Sequence, residues 1–252
     1  MHGKRIVLTR PIHQARSWAR RLTKLGARPV LYPVIAIAPP RDTDPLREAL
    51  SRLTAGKFDW LVFSSANAVV AAGRMLADTR CALPDGVRIA AVGPATSAAV
   101  KKEWGRGVDF IAPEPNGACL GRTLPLRPND SVLLPQALQA RPHLAEILAR
   151  RAGGLRVVTA YRTVPRRPKR DFREVLRYPG ADCVCFASPS SVNAFLDLFV
   201  PHERAKLLSG VDIACLGNVT ARAAEQRGLR VHMHCDGVTF SALLQVLRER
   251  YG

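Results

Sequence analysis

Phe63-Ser64-Ser65-Ala66-Asn67-Ala68-Val69 is answered further along the chain by Phe186-Ala187-Ser188-Pro189-Ser190-Ser191-Val192, 123 residues away. In each stretch an aromatic residue closes an apolar run of strand length, and small and hydroxyl-bearing residues then open a helical pattern. Outward from this pair, Val92-Gly93-Pro94-Ala95-Thr96 returns 124 residues later as Leu216-Gly217-Asn218-Val219-Thr220. Val7-Leu8 with Gln14-Ala15-Arg16 returns 125 residues later as Val132-Leu133 with Gln139-Ala140-Arg141. Three matches at nearly one spacing mark an internal duplication of strand-turn-helix units.

The rest of the chain keeps the same alternation. Arg5 to Thr9 is an apolar run without polar breaks, the pattern of a parallel strand buried on both faces. Ala15, Trp18, Ala19, Leu22 and Leu25 follow at helical spacing, closed by Gly26. Further strands are expected at Pro29–Tyr32, Trp60–Phe63, Ile89–Val92, 109–111, 132–134, Cys183–Phe186, Ile213–Leu216 and Val231–Met233. Helices are expected at 44–53 and from Thr239 to Arg250. This order predicts an α/β protein of two similar, doubly wound parallel-sheet domains.

Two extended runs, Val30 to Pro40 and Leu155 to Pro165, end in prolines that exclude helix. They predict a chain that leaves its first domain, builds the second and returns. The first domain is then residues 1–33 plus 166–252, the second is 40–156, and two extended connectors, 34–39 and 157–165, form a hinge.

Of 252 residues, 47% are hydrophobic and 23% charged, a globular composition. No apolar run spans a bilayer and Met1-His2-Gly3-Lys4-Arg5 leads into a strand, so a cytoplasmic protein without a membrane is expected. The six cysteines include no C-x-x-C pair and read as small core hydrophobes. His232, His234 and Cys235 form the alternative metal cluster, but lack a second ligand pair at zinc spacing, so no metal is expected. A net charge of +18 asks for an acidic partner. The basic residues are scattered and aromatics are only 6% of the chain, which leaves few stacking platforms for single-stranded nucleic acid. No nucleic acid is expected.

Ligands of doubly wound sheets sit at the carboxyl ends of the strands. Here those ends are Thr9-Arg10, Ser64-Ser65, Gly93–Thr96, Ser188-Pro189-Ser190 and Gly217–Thr220. Ser, Thr and Asn cap helices in any protein. Matched turns in both halves of a basic chain also suit a polyanion, because helix N-termini present free N–H groups and positive potential. There is no G-x-G-x-x-G, no phosphate-binding P-loop and no nucleophile elbow. A site so poor in acids, bases and cofactors suits a reaction limited by orientation, or binding alone.

These stretches, with Val158-Thr159-Ala160-Tyr161-Arg162-Thr163, resemble the uroporphyrinogen-III synthase family over essentially the whole chain and in the right order. The resemblance implies two flavodoxin-like domains and no cofactor. It implies a polycarboxylate linear tetrapyrrole, hydroxymethylbilane, cyclised with inversion of its last ring through a spiro intermediate. It gives Tyr161 as proton donor and assigns Ser64, Ser65, Thr96, Ser188, Ser190 and Thr220 to substrate carboxylates, with Arg10 and Arg141 as further candidates. The segment Pro135 to Arg141 departs from the family in lacking a glycine and an acidic residue, and is expected to be a loop. The expected protein is a monomer in transient contact with the enzyme that makes the bilane. A non-enzymatic hinged binder of a small polyanion, or an inactive paralogue, would carry the same fold.

Overall fold

The computed structural model describes residues 1–79, 83–237 and 239–252. The first half of the chain runs through β1 (Arg5–Leu8), α1 (Ile12–Thr23), β2 (Arg28–Leu31), β3 (Ile35–Ala38) and α2 (Asp44–Thr54). It continues with β4 (Trp60–Phe63), α3 (Ala66–Thr79), β5 (Arg88–Ala91), α4 (Pro94–Trp104), β6 (Phe110–Ile111) and α5 (Gly117–Thr123). The second half repeats the order with β7 (Ser131–Ala137), α6 (His143–Arg151), β8 (Gly154–Pro165), α7 (Phe172–Arg177), β9 (Cys183–Phe186) and α8 (Pro189–Leu196). It adds α9 (Pro201–Leu207) before β10 (Asp212–Leu216), α10 (Asn218–Gln226), β11 (Met233–Cys235) and α11 (Phe240–Tyr251).

The residues divide into two compact units, the first made of 1–36 and 164–252, the second of 37–163. The sheet of the first unit has the order β2-β1-β9-β10-β11, and the other sheet reads β3-β8-β7-β4-β5-β6. Moving β2 and β1 forward by one repeat gives β8 and β7, and moving β9, β10 and β11 back gives β4, β5 and β6. The two five-strand orders are therefore the same order with the halves of the chain interchanged. Each unit takes its first β-α-β segment from one repeat and its remaining strands from the other.

The strands pair in parallel from β2 through β11 in the first sheet and from β8 through β6 in the second. Helices cover both faces, so the inner strands carry apolar side chains on each side. Val7 joins Phe186, Val184 and Ile213 on one face of the first sheet, while Ile6 and Leu8 join Cys183 and Cys185 on the other. In the second sheet Leu61 and Phe63 face one core, and Trp60 and Val62 the opposite one. Helices dock by one stripe, as α1 does with Ala15, Trp18 and Leu22. Among the described residues no helix is long and apolar enough to cross a membrane.

Two expectations fail here. Pro135 to Ala137 is strand, not loop: β7 continues against β8 through Pro135↔Val158 and Gln136↔Thr159, with an irregularity before Ala137↔Tyr161. The last strand lies at Met233–Cys235, two residues later than its apolar run suggested: the His232 N–H still bonds the Ile213 C=O at 3.0 Å, but the Ile213 N–H goes to His232 Nδ1, also at 3.0 Å, and not to a backbone carbonyl.

Candidate active site

In the second unit, β4 ends at Phe63 and hands the chain to α3 through Ser64 and Ser65. Ser65 Oγ accepts the Ala68 N–H at 3.2 Å, the bond of an N-cap. The same oxygen lies 3.2 Å from the Tyr161 hydroxyl. Tyr161 stands on β8, 8% exposed, with its ring in the core beside Phe63 and Ala160. Either hydroxyl can donate in this pair; when Ser65 donates to Tyr161 Oη, the tyrosine proton is free for a ligand. A chain of hydroxyls arranged in this way polarises its last O–H.

Ser64, Ser65, Arg141 and Tyr161 line one pocket of about 470 Å³ at the carboxyl ends of β4, β7 and β8. Asn116, Gln136 and His143, which sequence reasoning did not single out, line it as well. Asn116 caps α5 through the Cys119 N–H at 2.7 Å, and its place directly before Gly117-Ala118 was the available signal. Gln139 fixes the turn ahead of Arg141 by bonding both the N–H and the C=O of Thr163, at 3.3 and 3.4 Å. His143 opens α6 and carries a mostly exposed ring. Among the described residues the pocket thus holds hydroxyls, amides and a cation above an apolar base, but no carboxylate.

Thr96 is not among the lining residues. It lies in the first turn of α4, 4% exposed, and its N–H meets the Gly93 C=O at 3.1 Å. Its counterpart Thr220 is 3% exposed in the first turn of α10, with its N–H on the Gly217 C=O, also at 3.1 Å. The two turns share their bonding but not their backbone. Gly217 takes φ of 78°, a left-handed conformation that favours glycine, whereas Gly93 is extended.

At the strand ends of the first unit, Ser188 caps α8 in a reciprocal box with Ser191, and its hydroxyl lies 2.9 Å from that of Ser190. Thr9, wholly buried, spends its hydroxyl on the Cys185 C=O at 2.7 Å and so ties β1 to β9. Arg10 sits over the Trp18 ring, its guanidinium carbon 4.2 Å from the ring centre, and donates from Nε and Nη2 to Gln14 Oε1 at 3.2 and 2.7 Å. Burial lowers the Arg10 pKa to about 10, so the guanidinium keeps its charge at neutral pH. A cation held this rigidly is suited to a carboxylate.

The five described cysteines are free and buried. Burial pushes the Cys215 thiol up to about 12, which makes it a core residue and not a nucleophile.

Comparison with known proteins agrees along the whole length. The family model described as Uroporphyrinogen-III synthase HemD matches residues 16–245. A uroporphyrinogen-III synthase from Synechococcus elongatus is 28% identical over 260 residues, covering 98% of this chain and 95% of that protein. One from Chlorobaculum parvum is 27% identical, covering 97% of this chain and all of the relative. Among solved structures, a mutant uroporphyrinogen III synthase from Thermus thermophilus matches with a TM-score of 0.62 and 18% identity, covering 98% of each chain. The Helicobacter pylori uroporphyrinogen-III synthetase matches with a TM-score of 0.61 and 17% identity, covering 98% of this chain and 99% of that one. At such identities the structural likeness concerns the fold.

Proposed function

The chain belongs to the uroporphyrinogen-III synthase family of tetrapyrrole and haem biosynthesis, and from that premise we propose how its residues carry the reaction. The substrate is hydroxymethylbilane, and the reaction is a cyclising elimination of water, a lyase step. Tyr161 Oη protonates the terminal hydroxyl, which leaves as water. The adjoining pyrrole nitrogen lone pair stabilises the carbon left behind. The substituted carbon of the last ring attacks it to give a spiro intermediate, which fragments and recloses with that ring inverted and then loses a proton. No step draws on a cofactor; the enzyme's task is to hold the bilane in the less favoured closure and exclude the direct one.

The observation that carries this reading is the Tyr161–Ser65 hydroxyl pair at 3.2 Å, set in one pocket with Ser64 and Arg141. The pair supplies a positioned general acid, and the pocket supplies donors for carboxylates. Thr96 in the second unit, and Arg10, Ser188, Ser190 and Thr220 in the first, are assigned to further carboxylates through their hydroxyls, their guanidinium and the helix N-termini they open.

Both units are read as flavodoxin-like domains, since each sheet contains the order 2-1-3-4-5 once the repeat is allowed for. The domains are residues 1–33 with 166–252 and residues 40–156, with 34–39 and 157–165 as extended connectors. The protein is proposed to act in the cytoplasm as a monomer, in transient contact with the enzyme that releases the bilane. The test is a coupled assay in which hydroxymethylbilane is generated in situ and the oxidised uroporphyrin isomers are resolved. Type III product above the control is expected. Type I alone, from folded and monodisperse protein, refutes the proposal.

A further inference from the structure

A second pocket, of about 380 Å³, opens in the first unit at the amino ends of its strands, the opposite end from Ser188, Ser190 and Thr220. Its floor is apolar: Leu208 follows α9, Val211 and Ile213 enter β10, and Leu229 comes from the turn after α10. Its remaining lining carries positive charge. Arg204, Arg227 and Arg230 contribute guanidinium groups, and among the described residues no acidic side chain lines the pocket.

Two of the basic groups here are already committed. Arg227 bonds Asn193 Oδ1 at 2.8 Å and Asp197 Oδ1 at 2.7 Å. His232 accepts the Ile213 N–H at 3.0 Å. Arg204 and Arg230 have no acidic partner among the described residues. Arg204 reaches the Phe199 C=O with Nη2 at 3.3 Å, but its Nε is sealed from water with no partner among the described residues. Buried polar groups nearly always have a partner, and one without asks for an explanation. Arg230 is exposed and its side chain enters no ion pair or hydrogen bond with the described residues. A pocket of this size with an apolar floor and a few convergent polar groups has the make-up of a small-molecule site.

We propose that this pocket binds a small amphiphilic carboxylate, with its apolar body on Leu208, Ile213 and Leu229 and its charge on Arg204 and Arg230. The carboxylate pairs with the guanidinium groups of Arg204 and Arg230 that line the pocket, and a hydrogen bond between two charged groups is the stronger kind. The site lies apart from the hydroxyl-lined strand ends, so its occupant is a second ligand and not the bilane in transit.

Calorimetric titration of the full chain with decanoate tests the assignment, with decanol as the uncharged body and acetate as the bodiless charge. Decanoate is expected to bind more tightly than either control. Arg204→Gln is expected to weaken decanoate about 10- to 100-fold, the loss typical of a hydrogen bond to a charged group. Arg230→Glu, at an exposed position that does not bear on folding, is expected to weaken it in the same direction. Equal affinity for decanoate and decanol would overturn the proposal, as would decanoate binding that neither variant changes, or no decanoate binding.

Discussion

Replacing Tyr161 by Phe separates chemistry from packing. The ring stays in its core and the change removes one hydroxyl, 3.2 Å from Ser65 Oγ. A hydrogen bond of that kind contributes about 0.5–1.5 kcal/mol to stability, and Ser65 keeps its bond from the Ala68 N–H. For a protein of this size a loss of about 1 kcal/mol lowers the melting temperature by about 2–4 °C. If the hydroxyl is the proton donor, turnover falls about 10²- to 10⁴-fold, which is about 2.7–5.5 kcal/mol of barrier. The effect on rate should thus exceed the effect on stability severalfold, with little change in KM. The isomer assay reads it directly, because the uncatalysed bilane closes to type I and the ratio of type III to type I collapses as the enzyme slows. A Tyr161→Phe protein with turnover within about threefold of the parent would remove the tyrosine from the chemistry, since general acid assistance is worth far more than that.

Other outcomes follow from other parts of the molecule. Arg10→Lys should raise KM about tenfold with kcat nearly unchanged, because the ammonium loses both the fork and the stacking on Trp18. Asp130→Ala should destabilise the protein by about 3 kcal/mol in urea unfolding, since this buried carboxylate accepts from Trp60 Nε1, Arg88 Nη2 and the Arg127 N–H. Burial alone would raise the pKa of Asp130, Asp182 and Asp212; the N–H donors and cations around them outweigh it and hold all three below the ordinary carboxylate value. Their stabilisation is therefore complete only above about pH 5 and is lost progressively as the pH falls through the ordinary carboxylate value toward the folded-state values, so urea midpoints should hold from neutral pH to about pH 5 and then drop. Gly153→Ala should cost about 2 kcal/mol or more in the same measurement, because the added carbon would stand 2.7 Å from the Asn129 and Pro128 backbone, which cannot turn aside as a side chain can.

The strands that build the two sheets were readable in the sequence wherever they are buried on both faces. Trp60–Phe63 and Cys183–Phe186 are uninterrupted apolar runs, and such runs belong to parallel sheets. Pro135 hid the end of β7, since proline normally argues against a central strand. Here it is accommodated at the approach to an irregularity in the ladder. The shift of β11 was hidden because a histidine side chain replaces a backbone partner, and periodicity carries no trace of that. At the site the residue types were legible but their company was not. Ser65 and Tyr161 lie 96 positions apart and meet because β8, from the second repeat, completes the sheet that β4 begins. The capping role of Ser65 and Ser188 was legible as well, from a hydroxyl placed directly after a strand.

The interchange of repeats also sets an order in time. Translation delivers residues 37–163, all that the second unit contains, before residue 164 has been made. β1, α1 and β2 are synthesised first, yet the strands they must join, β9, β10 and β11, come last. Throughout that interval Ile6, Val7 and Leu8, each wholly buried in the finished unit, have no sheet to enter. Exposed apolar segments of this kind are the usual starting points of misassembly and the usual clients of chaperones. Slow synthesis past residue 163 would favour the second unit while lengthening the exposure of the first, so the two units face opposite demands on the speed of the ribosome.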